Sequence, residues 1–226
     1  MKSFLKYPKR HGGFTLTELL VVIAIIAVLA SLGFVGYRKM IERARTSKCV
    51  SNQRDIVAGM LLWTQENNNI LPVYNTSMSG GGGFYWYAEM SRNSNSRGGN
   101  PLPYCGHNPL LPGERADTVW ICPANNPFNT QTGQKRDASY GIASSVFANA
   151  PNSTQVRVAS LNNPSNTVAF CDWNLNGPGA YKITSDSDIA APHNGACNVA
   201  FMDGHVQSMK PKPSYNDPIF KRTGGP

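Results

Sequence analysis

Gly12-Gly13-Phe14-Thr15-Leu16-Thr17-Glu18-Leu19-Leu20 opens a long apolar run near the start of the chain, and its reading decides the fold. From Phe14 to Tyr37 the only polar side chains before the tyrosine are Thr15, Thr17, Glu18 and Ser31. A helix over that stretch spans roughly 36 Å at about 1.5 Å per residue, enough for a bilayer core. The head before it, residues 1–13, carries Lys2, Lys6, Lys9 and Arg10 without an acid, which the positive-inside rule keeps in the cytoplasm. The remainder then faces outward. A secretory signal has its small-residue cleavage site after the apolar region, whereas here Gly12 and Gly13 precede it. A cut after Gly13 keeps the helix in the product.

The helix is expected to continue past the membrane. Between Arg38 and Asn67 there is no proline and one glycine, Gly59, and Ile41, Ala44, Ile56, Val57, Met60, Leu61 and Trp63 are spaced for one buried face. Asn67-Asn68-Asn69 and Pro72 end it, giving one helix from about Phe14 to about Asn67. The net charge is +8, half of it from the head, so the product from Phe14 on is too mildly basic to argue for nucleic acid. Arg38, Lys39, Arg43, Arg45 and Lys48 alternate with Glu42 and suit a helix leaving the headgroups.

After Pro72 the texture changes to short apolar segments between Gly, Pro, Asn and Ser. Residues 79–83 and 91–103 have loop composition. Strands are expected at Thr118–Cys122, Thr167–Asp172, Asn198–Met202 and His205–Lys210, the last two closed by a two-residue Asp203-Gly204 turn. The predicted fold is α+β: a long N-terminal helix packed on a small antiparallel sheet. The predicted segments are a leader (1–13), a transmembrane helix (14–37), its amphipathic continuation (38–71) and an outer α+β domain (72–226).

Gly13, Phe14 and Glu18 match, residue by residue, the class III signal of type IV pilins and of type II secretion pseudopilins, which the chain resembles. The outer domain extends the likeness. His193, nine residues and then Asp203-Gly204 resemble the H-x9-D-G segment of a large group of pilin-like proteins with this same signal. The helix from Cys49, with Asn52, Gln53 and Ile56, and Trp120-Ile121-Cys122-Pro123 are similar to further segments of that group, although Trp63 stands where a tyrosine is more usual. The resemblance implies cleavage after Gly13 by a prepilin peptidase and methylation of the Phe14 amine. It also implies a homopolymer of pilin or pseudopilin subunits built on an inner-membrane assembly platform, from a single-pass precursor held in lipid with its outer domain in the periplasm or on a surface filament. Glu18 would pair with the Phe14 amine of a neighbouring subunit, which explains a carboxylate costing about 2.5–3.5 kcal/mol inside an apolar helix.

The alternative function is a membrane-anchored ectodomain with ligand-binding or hydrolytic activity. No nucleophile, base and oxyanion grouping is legible, so the chain is expected not to be an enzyme and to need no cofactor. His193, Asp203 and His205 are zinc-type residues near one hairpin, but hydrogen-bonded capping with positive φ at Gly204 is the favoured reading. Asp172-Trp173-Asn174-Leu175-Asn176-Gly177 has the opening spacing of a calcium loop without the twelfth-position carboxylate. Asp186 and Asp188 are the nearby substitutes, and some pseudopilins that the chain resembles hold calcium in such a loop. Of the five cysteines, Cys49 with Cys122 and Cys171 with Cys197 are candidate disulfides, Cys105 being left over; sequence alone does not fix the connectivity.

Overall fold

The computed structural model of the protein describes residues 13–72, 75–77, 83–85, 119–125, 138–147, 156–174, 176 and 181–223. Helix α1 spans Leu16–Glu66. The strands among the described residues are β1 (Asn75–Ser77), β2 (Gly83–Tyr85), β3 (Tyr140–Ala143), β4 (Val168–Asp172), β5 (Lys182–Ile183), β6 (Cys197–Phe201) and β7 (Val206–Met209). β1 and β2 form an antiparallel pair, so Gly83, expected in a loop, opens a strand. The other five make one sheet in the order β5-β3-β4-β6-β7. Two compact units divide the chain, Met1–Ile41 and Glu42–Pro226.

In the first unit the described apolar side chains from Phe14 to Leu29 are largely uncovered. Phe14 is 76% and Leu16 80% exposed, and Leu19, Ile23, Ile26 and Leu29 are each more than half exposed. A helix apolar on every side is at home only in lipid or among other helices.

In the second unit α1 is amphipathic. Cys49, Asn52, Gln53, Ile56, Val57, Met60 and Thr64 are buried at three- and four-residue spacing, while Leu62 on another face is exposed. The expected stripe is present at Ile56, Val57 and Met60, but Ala44 is exposed and the start of the buried face is Cys49, Asn52 and Gln53. No break occurs at Gly59. The asparagine run ends the helix: Asn67 donates its side-chain amide to Trp63 O at 2.7 Å, Asn68 and Asn69 take positive φ of 57° and 56°, and Asn69 N–H reaches Thr64 O at 2.9 Å. Asparagine tolerates that left-handed backbone better than most residues.

β3, β4 and β6 are buried along their whole length, whereas the edge strand β7 is only partly covered. Central strands of this kind are apolar without alternation, as in Val-Ala-Phe-Cys-Asp and Cys-Asn-Val-Ala-Phe. Three ladders of the sheet are antiparallel; the expected all-antiparallel sheet is corrected at one edge, where β5 runs parallel to β3. The chain crosses through β4 between them and so returns in the original direction.

Residues 119–122 form a turn and not the expected strand. Ser139 N–H donates to Trp120 O and Asn125 N–H to Cys122 O, and Pro123 has no N–H to give a ladder. The β6–β7 hairpin closes with three residues, Met202, Asp203 and Gly204, instead of two. Phe201 N–H pairs with His205 O at 2.9 Å, Gly204 N–H folds back to Phe201 O at 3.0 Å, and Gly204 takes a φ of +96°. That is a turn followed by a left-handed glycine, the usual three-residue solution.

Candidate functional site

The start of α1 is a capping box. Thr15 precedes the first helical residue; its hydroxyl accepts from Glu18 N–H at 3.3 Å, and the Glu18 carboxylate accepts from Thr15 N–H at 2.9 Å and from the Thr15 hydroxyl at 2.8 Å. Thr-x-x-Glu satisfies two orphan amides reciprocally, and the carboxylate also meets the positive end of the helix dipole. Glu18 therefore has a local partner in the single chain, Thr15, which the sequence reading passed over although the spacing was legible. Phe14, Thr17, Glu18, Val21 and Val22 border one shallow open groove on this segment.

The second constellation lies between α1 and the sheet. His193 Nε2 stands 3.3 Å from Asp172 Oδ2 and 3.4 Å from Cys122 Sγ; Cys49 Sγ stands 3.3 Å from Asp172 Oδ1. One donor atom from each of Cys49, Cys122, Asp172 and His193 lies within 4.8 Å of the other three, and all four residues are buried. Four separate segments supply them: the helix, the Cys-Pro turn, the end of β4 and the approach to β6.

Their neighbours are fixed in turn. Thr46 donates its hydroxyl to Glu42 O at 3.0 Å, so at 3.2 Å from His193 Nδ1 it is the acceptor and Nδ1 carries the proton. Gln53 Nε2 donates to Asp172 Oδ1 at 3.1 Å and to Asn198 O at 3.3 Å, and Asn198 N–H donates to Asp172 Oδ2 at 2.8 Å. The Tyr140 hydroxyl sits 3.5 Å from Cys49 Sγ. Desolvation lowers the pKa of His193, but hydrogen bonds and charge from Asp172 and Cys49 outweigh it and raise it to about 10. Burial, with Cys122 and the Asp172 charge, pushes the Cys49 thiol up, and burial likewise raises Tyr140.

The sequence candidates are thus regrouped. His193 does not join Asp203 and His205 but turns inward to the helix. Asp203 Oδ1 instead takes His205 Nδ1 at 2.6 Å on the exposed hairpin, and the His205 ring stacks on Phe201 at 4.3 Å. The calcium candidates are dispersed among separate partners. Asp172 spends both oxygens in the buried cluster, and Asp188 Oδ2 caps its own turn through Thr184 and Ser185. Asp186 accepts from the Ser214 hydroxyl and Tyr215 N–H, and Asn174 binds Ser187 O and Asn176 N–H.

Cys49, Cys122, Cys171 and Cys197 carry free thiols in the structure, and the members of both expected pairs are neighbours. The Cys49 thiol donates to Asp172. Cys171 and Cys197 lie on adjacent strands, and burial, with the hydrogen bond from Cys171, raises the Cys197 thiol. Cys105 lies outside the described residues.

A capped, fully apolar helix leading into an amphipathic half that packs on a small sheet defines a pilin-like arrangement. Residues 8–34 match the family described as the prokaryotic N-terminal methylation motif. The match supports a prepilin-type, exported pilin-like subunit, processed by a prepilin peptidase and assembling with other pilin subunits, and the apolar helix fits an inner-membrane anchor. No curated protein and no solved structure matches the chain.

Proposed function

We propose that the chain is a non-catalytic structural subunit that polymerises through α1 into a type IV pilus or a type II secretion pseudopilus. Gly13 is the residue before the cut, Phe14 the methylated amino terminus, and Glu18 the acid that receives a neighbour's Phe14 amine on assembly. The observation that carries this reading is the bare apolar surface from Phe14 to Leu29, joined to the methylation motif. Lipid covers that surface before assembly, and the same surface of other copies covers it afterwards. The outer domain is periplasmic, or displayed on the filament.

The capping box favours a second reading, a membrane-anchored ectodomain with ligand-binding or hydrolytic activity, because it gives Glu18 a task in a lone helix. Single cysteines placed between Leu19 and Leu29 separate the two. Polymerisation predicts helix-to-helix crosslinks in ladders longer than a dimer; monomers at every position would sink it. Intact mass should show a chain starting at Phe14 with one added methyl group.

A further inference from the structure

We propose that Cys49, Cys122, Asp172 and His193 form a structural zinc site that clamps the outer half of α1 to the sheet. A tetrahedral zinc ion with bonds of about 2.0–2.3 Å sets its ligands about 3.3–3.8 Å apart. The separations at the cluster, 3.3 Å from His193 Nε2 to Asp172 Oδ2, 3.4 Å from His193 Nε2 to Cys122 Sγ and 3.3 Å from Cys49 Sγ to Asp172 Oδ1, are close to that spacing, the carboxylate turning a different oxygen to each side. All four donors fall inside 4.8 Å, so sub-ångström shifts bring them onto one ion.

The donor chemistry selects the metal. Two sulfurs and an imidazole favour zinc over calcium or magnesium, which take oxygen ligands. Burial of all four ligands, with no position left for substrate, is the pattern of a structural site and not of a catalytic one.

The surroundings do what supporting groups at zinc sites do. Thr46 accepts the Nδ1 proton of His193, which directs the Nε2 lone pair at the ion. Gln53 and the Asn198 amide hold the Asp172 carboxylate and offset its charge. As zinc enters, the two thiol protons and the Nε2 proton of His193 leave to solvent, so that the sulfurs bind as thiolates and the imidazole as the neutral ring. A Cys49–Cys122 disulfide would use the same two sulfurs and so competes directly with the ion. On this assignment the histidine of the H-x9-D-G segment is a metal ligand, while Asp203 and Gly204 of the same segment only shape the hairpin.

The test uses the full processed chain in detergent, purified without reductant or chelator. Metal analysis should find about one zinc per chain, and alkylation mapping should find Cys49 and Cys122 unreactive until a chelator is added. After reduction and chelation, Co2+ should restore a thiolate-to-cobalt charge-transfer band and the strong visible bands of a tetrahedral ion. Cys122→Ser and His193→Gln should each weaken Co2+ binding at least about tenfold, whereas Cys171→Ser, on the neighbouring thiol pair, should not. The wild-type spectrum does not depend on any variant folding. A Cys49–Cys122 disulfide in protein as isolated, or absence of the cobalt spectrum after reduction, overturns the proposal. So does binding that Cys122→Ser leaves unchanged. Filament formation is scored separately, so loss of zinc with intact filaments removes this site without touching the assembly reading.

Discussion

Replacing Glu18 by glutamine separates two tasks that alanine removes together. Glutamine keeps a side-chain oxygen at the third helical position, so the bonds at 2.9 and 2.8 Å from Thr15 survive and the helix stays capped. It has no charge to offer an ammonium. Thr15→Ala does the converse: it removes the hydroxyl that accepts Glu18 N–H, at a cost of about 0.5–2 kcal/mol, and leaves the carboxylate. If Glu18 pairs with a neighbour's Phe14 amine, Glu18→Gln buries an unpaired ammonium at every subunit contact. A broken buried pair costs about 3–5 kcal/mol, or about 10²- to 10⁴-fold in each addition step. Shear fractionation and electron microscopy should then show no filaments from Glu18→Gln or Glu18→Ala, and shorter or fewer filaments from Thr15→Ala. Intact mass confirms processing in all three. Normal filaments from Glu18→Gln would refute the pairing, and failure of Thr15→Ala beside them would assign Glu18 to capping alone.

Gly13→Ala should leave the leader uncut in most of the protein, read by intact mass at the amino terminus, because the peptidase must approach that backbone closely. Gly141→Ala should destabilise the outer domain by about 1–3 kcal/mol in chemical denaturation. A Cβ there would stand 2.8 Å from Ile183 Cδ1 and 3.0 Å from Trp173 Cδ1, and unchanged stability would show that the β5 edge gives way freely. Gly204→Ala should cost about 1–2 kcal/mol from its φ of +96° alone, since the nearest side chain, Leu61, leaves room at 3.6 Å. Gln53→Leu should cost about 1–3 kcal/mol by stripping one donor from the buried Asp172, read as a lowered melting temperature.

The long helix was legible because its signals are local and strong: an unbroken apolar run, a three-and-four spacing at Ile56, Val57 and Met60, and an asparagine stop. β4, β6 and β7 were found within a residue or two for the same reason. β3 was not, because Tyr-Gly-Ile-Ala is short and holds a glycine that only its neighbours Ile183 and Trp173 explain. Residues 119–122 carried strand composition, but the proline after Cys122 and the pairing of Trp120 with Ser139 make a turn of them. The site was half visible. His193 was singled out but given the wrong company, since its sequence neighbours on the hairpin suggested Asp203 and His205. Its partners Thr46, Cys49 and Asp172 come from elements far along the chain, and no spacing rule links them. Cys49 and Cys122 were rightly paired as neighbours, but the carboxylate and imidazole that join them are tertiary facts.

The buried cluster also sets a timetable for folding. Thr46, Gln53 and their partners His193, Asp172 and Asn198 are separated by 147, 119 and 145 residues. A chain made at about 5–20 residues per second keeps the helix waiting about 7–30 s for the strands that cover it. During that interval Ile56, Val57 and Met60 are exposed to other nascent chains, as are the thiols of Cys49 and Cys122. The β6–β7 hairpin, whose contacts from Phe201 to His205 are all local, forms as soon as it appears and is among the last segments to do so. Losing the final forty or so residues to a protease would therefore remove β6 and β7 and leave a helix that has been inserted and is long finished, with only β5, β3 and β4 of the sheet left to cover it.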